Sequence, residues 1–281
     1  MREFRLSSAE GLPIRASVVI PQAPRGLVFV VHGFKGFREW GCFPWLTEQL
    51  AAGGYAACRF DMSRNGVGED CDTFERLDLF ENDTFSIQLS DLDRVISAVT
   101  AEKPFATLPV FLLGHSRGGA IATLGARNVA QLSGVITWGS ISHVDRWDGE
   151  TVRRWRADGY QTAVNQRTGQ QMRVSTAVLD DCENNRGQLD VLAAASSLSV
   201  PMLILHGTAD ETVAPEESRQ IASVARDSTL VIIDGATHTF GAMHPLVNIP
   251  SPLKLAAALT ERFLCANVPL PCIERSRLVA K

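Results

Sequence analysis

One serine stands in a pattern suited to nucleophilic chemistry, Leu113-Gly114-His115-Ser116-Arg117-Gly118-Gly119, which reads GxSxG. A hydroxyl is a poor nucleophile until a neighbouring base takes its proton, so a reactive Ser116 demands a histidine, and the histidine an acid to orient it. Both partners occur further along the chain in the order serine, acid, histidine. Asp210 ends His206-Gly207-Thr208-Ala209-Asp210, and His238 lies in Gly235-Ala236-Thr237-His238-Thr239-Phe240. By composition alone GxSxG arises in roughly one chain of this size in ten, so its surroundings must carry the reading. Here an apolar run, Val110 to Leu113, precedes the motif and an alanine-rich stretch through Ala120, Ile121 and Leu124 follows it. Strand, sharp turn and helix in that order make a nucleophile elbow, in which the glycines leave room for a strained turn.

The other titratable groups receive lesser readings. His244, six residues beyond His238, is the rival base, and Glu211 and Asp234 are the rival acids. His32 and His206 end apolar runs beside glycines and read as hydrogen-bonding supports, while His115 is expected to be buried under the turn. Asp180-Asp181-Cys182-Glu183 lacks useful ligand spacing and reads as a solvated face, so no metal is expected.

Three separated residues meet only if the chain brings them to one edge. Short apolar runs recur at Val18–Ile20, Leu27–Val31, Ala56–Phe60, Val110–Leu113, Val135–Trp138, Met202–Leu205 and Leu230–Ile233. Their continuity, rather than alternation, fits strands covered on both faces, as in a parallel sheet. Helical patterns lie between most of them: Phe85, Leu89, Leu92, Ile96 and Val99 form one stripe, Pro215 opens a second helix, and Ser251-Pro252 a last one. The expectation is an α/β fold with a mostly parallel central sheet of about eight strands, flanked by helices. Asp210 and His238 each follow the carboxyl end of a strand, and those ends share the edge where Ser116 turns.

With 281 residues, 45% of them hydrophobic, the chain can bury a large core. A net charge of -4 gives no broad basic field for nucleic acid or an anionic membrane, which favours a small-molecule partner. No run approaches the roughly 18 to 20 apolar residues of a membrane span. The start, Met1-Arg2-Glu3-Phe4-Arg5, lacks a signal-like apolar stretch, and the protein is read as cytoplasmic. Cys42, Cys58, Cys71, Cys182, Cys265 and Cys272 include no CxxC pair and are read as reduced thiols.

The sequence resembles the α/β-hydrolase superfamily from about Leu12 to Phe263, through four motifs: GHSRGG, His32-Gly33-Phe34, HGTADETV at 206–213 and GATHTF at 235–240. The last two are similar to those of bacterial serine esterases and prolyl-oligopeptidase-type catalytic domains. Serine at 116, in place of aspartate or cysteine, departs from haloalkane dehalogenases, epoxide hydrolases and dienelactone hydrolase proper. The resemblance implies Ser116, Asp210 and His238 as a catalytic triad, with oxyanion donors from the backbone N–H groups of Phe34 and Arg117. It implies a serine hydrolase without a cofactor, acting on a small-molecule carboxylic ester through an acyl-enzyme, with activity falling on acidification because only neutral imidazole accepts the proton. A peptidase, acylaminoacyl amidase, thioesterase, acyltransferase or perhydrolase would use the same residues, and a noncatalytic ligand-binding homologue is the alternative of another class.

Residues 139–200 exceed any ordinary connection of roughly 2 to 6 residues. They read as a cap or lid inserted into a core made of 1–138 and 201–281, with a helix near Gly149–Ala157, strands Tyr160–Asn165 and Gln170–Thr176, and a helix before Leu198. Trp147, Trp155 and Met172 are candidates to face the pocket, and Phe34, Phe37, Trp40, Phe43 and Trp45 could wall it from the loop after the oxyanion motif. Seven arginines against eight acids leave the insertion without a net field, although a single arginine could hold a carboxylate. Arg64 to Asp70 precedes no helix in phosphate-loop spacing and reads as structural.

Overall fold

The computed structural model describes residues 1–70 and 72–268. In chain order the elements are β1 (Arg2–Ser7), β2 (Pro13–Val19), β3 (Leu27–Val31), α1 (Phe43–Ala52), β4 (Ala56–Phe60), α2 (Leu77–Glu81), α3 (Phe85–Thr100), β5 (Val110–His115), α4 (Arg117–Gly125) and β6 (Leu132–Trp138). They continue as α5 (Gly149–Asp158), β7 (Tyr160–Val164), β8 (Gln171–Ser175), α6 (Ala177–Asn184), α7 (Val191–Ser197), β9 (Met202–Gly207), α8 (Pro215–Val224), β10 (Ser228–Ile233) and α9 (Ser251–Asn267).

The continuous apolar runs are explained by burial on two faces. Leu27, Phe29 and Val31 of β3 join one core cluster with α3 and α4, whereas Val28 and Val30 join another with α1 and α9. Val110 and Leu112 of β5 divide from Phe111 and Leu113 in the same way. A strand with both faces buried has no solvent side on which polar residues could alternate. The eight-stranded sheet runs β1-β2-β4-β3-β5-β6-β9-β10. Only the β1–β2 and β2–β4 pairs are antiparallel; the remaining five are parallel. The order reverses around β3 and β5, so the ends of β5, β9 and β10 lie on one edge of the sheet.

Several elements differ from the sequence reading for physical reasons. Residues 2–7 form β1, whose only strand partner among the described residues is β2 and whose arginines and glutamate remain largely exposed, so it never shows the apolar run of a central strand. The expected strand at Val18–Ile20 begins earlier, at Pro13. Phe43 and Trp45 belong to helix α1, which starts with Pro44 in its first turn and buries Phe43, Leu46 and Leu50, so they are not on a pocket-wall loop. In 139–200 the helix α5 and hairpin β7–β8 occupy nearly the expected positions. The acidic run at 180–183 lies instead on α6, which buries Leu179 and Cys182, so that face is not wholly solvated. Cys42, Cys58, Cys182 and Cys265 are free thiols; Cys71 and Cys272 lie outside the described residues. Among the described residues no helix is long and apolar enough to cross a membrane.

Candidate active site

Ser116 sits between β5 and α4 with φ +57° and ψ -124°, a conformation that a residue with a side chain adopts only under constraint. Its N–H donates to the carbonyl of Trp138 and its carbonyl accepts from Gly119, which pins the turn from both sides. The motif glycines are required by contact. A Cβ at Gly114 would lie 2.1 Å from the Gly118 carbonyl oxygen, and one at Gly118 would lie 2.3 Å from that of Val31. Helix α4 can therefore begin directly behind the strand, which presents the serine at the sheet edge.

Asp210 and His238 meet at this edge. His238 Nδ1 is 2.7 Å from Asp210 Oδ2, and because an ionised carboxylate only accepts, Nδ1 carries the proton and Nε2 is left as an acceptor. The N–H groups of Thr212 and Val213 donate to Oδ1 at 2.9 Å, and His206 Nε2, which also bonds the Val213 carbonyl at 2.9 Å, lies 3.1 Å from Oδ2. Burial works to raise this carboxyl's pKa, but the bonds from His206, His238 and Val213 outweigh it and hold it far below the usual range. His206 is oriented in turn by Ser218 Oγ on Nδ1, at 2.6 Å. Gly139 lies beneath the pair with φ +55°, where a Cβ would be 3.2 Å from Asp210 Oδ2 and 3.4 Å from His238 Nδ1. This glycine was not singled out from the sequence, since no motif surrounds it.

The remaining histidines sort by their partners. His115, half-buried, donates from Nε2 to the backbone carbonyl of His238 at 2.9 Å, with the two rings 4.7 Å apart. Burial and the neighbouring His238 push its pKa down to about 3, so it stays neutral. His32 is buried, next to the Gly33 carbonyl and the N–H of Met62. His244 is not on the Asp210 side at all: its Nε2 donates to Asp72 Oδ1 at 2.6 Å and its Nδ1 accepts from the Gly41 N–H. Of the rival acids, Asp234 accepts from Thr208 and Glu211 is exposed.

The loop His32-Gly33-Phe34 abuts the serine, since a Cβ at Gly33 would lie 2.9 Å from Ser116 Cβ and 3.5 Å from Oγ. Neither the Phe34 N–H nor the Arg117 N–H donates to a protein acceptor among the described residues. Arg117 is the first residue of α4, where an N–H has no partner within the helix. Ser116 Oγ and His238 form no direct hydrogen bond.

A cavity of about 320 Å³ opens over Ser116. Phe34, Phe85, Arg117, Trp147 and Trp155 line it, together with residues of the β7–β8 hairpin. Of the five aromatics expected to wall the pocket only Phe34 does so: Phe37 and Phe43 are core, and Trp40 packs on Phe43 and His244. Trp147 and Trp155 do face the cavity, their rings perpendicular and 5.0 Å apart, whereas Met172 is fully buried in the core. A larger surface depression, about 880 Å³, runs along α3 and touches neither Ser116, Asp210 nor His238.

Comparison with known proteins agrees with this architecture. The rat (Rattus norvegicus) monoglyceride lipase is 25% identical over 249 residues, 76% of each chain. The structure of Est1E from Butyrivibrio proteoclasticus with ferulic acid bound superposes with a TM-score of 0.73 at 21% identity, covering 94% of this chain and 99% of Est1E. The monoacylglycerol lipase of Paleococcus ferrophilus gives a TM-score of 0.66 at 19% identity, covering 95% and 100%. The fold is that of the α/β-hydrolases. The family described as Hydrolase_4, serine aminopeptidase S33, matches residues 22–185 and 167–241, so the chain belongs to that family.

Proposed function

We propose that the chain is a carboxylic ester hydrolase in which Ser116 is the nucleophile, His238 the general base and acid, and Asp210 the group that fixes the imidazole. The observation that carries this reading is the 2.7 Å bond between His238 Nδ1 and Asp210 Oδ2, beside a serine held in a strained turn at the same sheet edge. Ser116 Oγ attacks the acyl carbonyl carbon while His238 Nε2 takes the hydroxyl proton. The carbonyl π electrons move to oxygen, and the oxyanion is received by the N–H groups of Phe34 and Arg117. On collapse the C–O bond to the alcohol breaks and His238 returns its proton to the departing oxygen. Water then attacks the acyl-enzyme and gives a proton to His238; the acyl–Oγ bond breaks, His238 passes that proton to Oγ, and the acid leaves with Ser116 and neutral His238 restored. The overall reaction consumes one ester and one water and yields one acid and one alcohol. No cofactor takes part.

Residues 139–200 act as a cap in this reading, because Trp147, Trp155 and the β7–β8 hairpin supply one wall of the cavity over Ser116. The lipase and esterase relatives support ester over amide. The family description names an aminopeptidase, which keeps a peptidase as the second reading. Charge argues against it: the buried charged side chain lining the cavity beside Ser116 is the cation Arg117, the wrong sign to receive an amino terminus. A fluorophosphonate probe tests the mechanism. The wild type should label and Ser116→Ala should not; labelling that survives the substitution would assign the nucleophile elsewhere. A panel of aryl and alkyl esters beside aminoacyl anilides then decides between ester and amide.

A further inference from the structure

Arg117 is a buried cation in an unusual state. Its side chain is 9% exposed, and its guanidinium carbon lies 4.6 Å from the ring centroid of Phe34 and 4.5 Å from that of Phe85. Its N–H groups donate in the guanidinium plane, as a fixed fork. Among the described residues the side chain makes no hydrogen bond: the nearest carboxylate, Asp83 Oδ2, is 3.9 Å from Nη1, beyond hydrogen-bond range. Asp83 is itself a weak counter-charge, since burial pushes its carboxyl up to about 7. The other cation of the cavity, Arg146, is by contrast neutralised by Glu217 at 2.6 Å. A guanidinium with little exposure and no protein acceptor keeps its donors open to the cavity, and a bidentate carboxylate matches them.

We infer that Arg117 is the specificity residue of the cavity over Ser116, and that the substrate is a small ester carrying a second, anionic carboxylate near the scissile bond. This rests on the proposed hydrolase reading and names its substrate class. The cavity suits a compact molecule, at the lower end of the roughly 300 to 1,000 Å³ of ligand pockets. Phe34, Trp147 and Trp155 supply the apolar contact, and Arg117 the charge.

Matched pairs of esters test the inference. Mono-4-nitrophenyl glutarate against 4-nitrophenyl pentanoate places the carboxylate on the acyl side, and 4-carboxyphenyl butanoate against 4-methylphenyl butanoate places it on the alcohol side. In at least one pair the wild type should favour the charged ester in kcat/KM by about tenfold or more, the scale of a charge-assisted hydrogen bond. Arg117→Met should cut that ratio by about 30-fold whatever it does to absolute rates, and Arg117→Lys should keep part of it. Asp83→Asn, which removes the competing carboxylate and leaves Arg117 in place, should raise the ratio several-fold at pH 8 and serves if Arg117→Met fails to fold. A wild type indifferent to the carboxylate in both pairs overturns the inference, as does a ratio unmoved by Arg117→Met or, where that variant is unfolded, by Asp83→Asn. Hydrolysis of the neutral esters and Ser116-dependent probe labelling report on the hydrolase reading separately. If both are positive while the ratios are flat, only the role of Arg117 falls; if neither is seen, the hydrolase reading falls and takes this one with it.

Discussion

Asp210 and Asp83 are buried to nearly the same degree, 8% and 6% exposed, yet the protein holds them in opposite states. Asp210 collects bonds from two histidines and two backbone N–H groups, and remains ionised far below the usual range. Asp83 receives a side-chain bond from Gln88 alone, its Oδ1 is buried without a partner, and Arg117 stands too far away to donate. Burial therefore prevails and its pKa reaches about 7. The difference teaches that in this protein the donor count around a carboxylate, rather than its depth, decides its charge. In the proposed mechanism the first acid stabilises an imidazolium, and in the proposed specificity the second leaves an arginine under-compensated.

The largest expected effect separates the two acids directly. Asp210→Asn should lower kcat on a neutral nitrophenyl ester by on the order of 10³ to 10⁴-fold, because the amide both loses the charge and can donate to Nδ1, favouring the wrong tautomer. Asp83→Asn should lower it by less than about tenfold. Steady-state kinetics on both variants, with circular dichroism to verify folding, checks the contrast; comparable losses would erase it.

A smaller effect should follow from removing one donor from Asp210. His206→Leu deletes the 3.1 Å contact to Oδ2, together with the bond to the Val213 carbonyl, and leaves that from His238, so kcat should fall by roughly tenfold, the scale of about 1.4 kcal/mol for one hydrogen bond to a charged group. If kcat is unchanged, three donors suffice and the count overstates what Asp210 requires.

Asp83 predicts a pH dependence of selectivity with a definite sign. Its carboxyl faces Arg117 at the start of α4, Gln88 and Asp91 on α3, and Arg64 from the loop after β4, while Cys182 of α6 faces Arg117. Below about pH 7 the carboxyl is neutral and Arg117 is available to a substrate carboxylate; above it the ionised carboxyl competes. The charged-over-neutral ester ratio should therefore fall several-fold between pH 6 and 8 in the wild type and stay flat in Asp83→Asn. Dividing the two rates cancels the titration of the shared base.

The two carboxylates also differ in how far the sequence reveals them. Asp210 was legible because it, His238 and Ser116 each follow an apolar run, so a local pattern fixes each residue at a strand end and the parallel sheet brings those ends together. The Arg117 side chain was not legible; the family resemblance implied only its backbone N–H, as an oxyanion donor. Its surroundings come from the start of α3, from the loop after β3 and from α6, and are assembled by helix packing that leaves no periodic trace. Asp83 carries no signal at all, standing just before the Thr84 cap of α3 in a stretch without chemistry of its own. Strand β1 escaped for a related reason: an edge strand can keep Arg2, Glu3 and Arg5 in solvent, and so avoids the apolar run by which its neighbours are recognised.

His115 extends the comparison to a base and gives the smallest expected effect. With a single hydrogen bond, to the His238 carbonyl, it behaves like Asp83: burial wins and the neutral form is kept, with a pKa of about 3. The unfolded chain binds a proton near the ordinary histidine value of about 6.5. The stabilising contribution of neutral His115 is thus complete above that value and is lost as pH falls toward 3. Discounted for its partial exposure, the loss by pH 4.5 should be about 1 to 2 kcal/mol. Urea unfolding at pH 7.5 and 4.5 checks it: His115→Gln, which keeps an N–H donor for the His238 carbonyl but cannot titrate, should lose less stability than the wild type on acidification. Equal losses would mean that the single bond, and not burial, governs this ring, and the rule drawn from the two carboxylates would not extend to it.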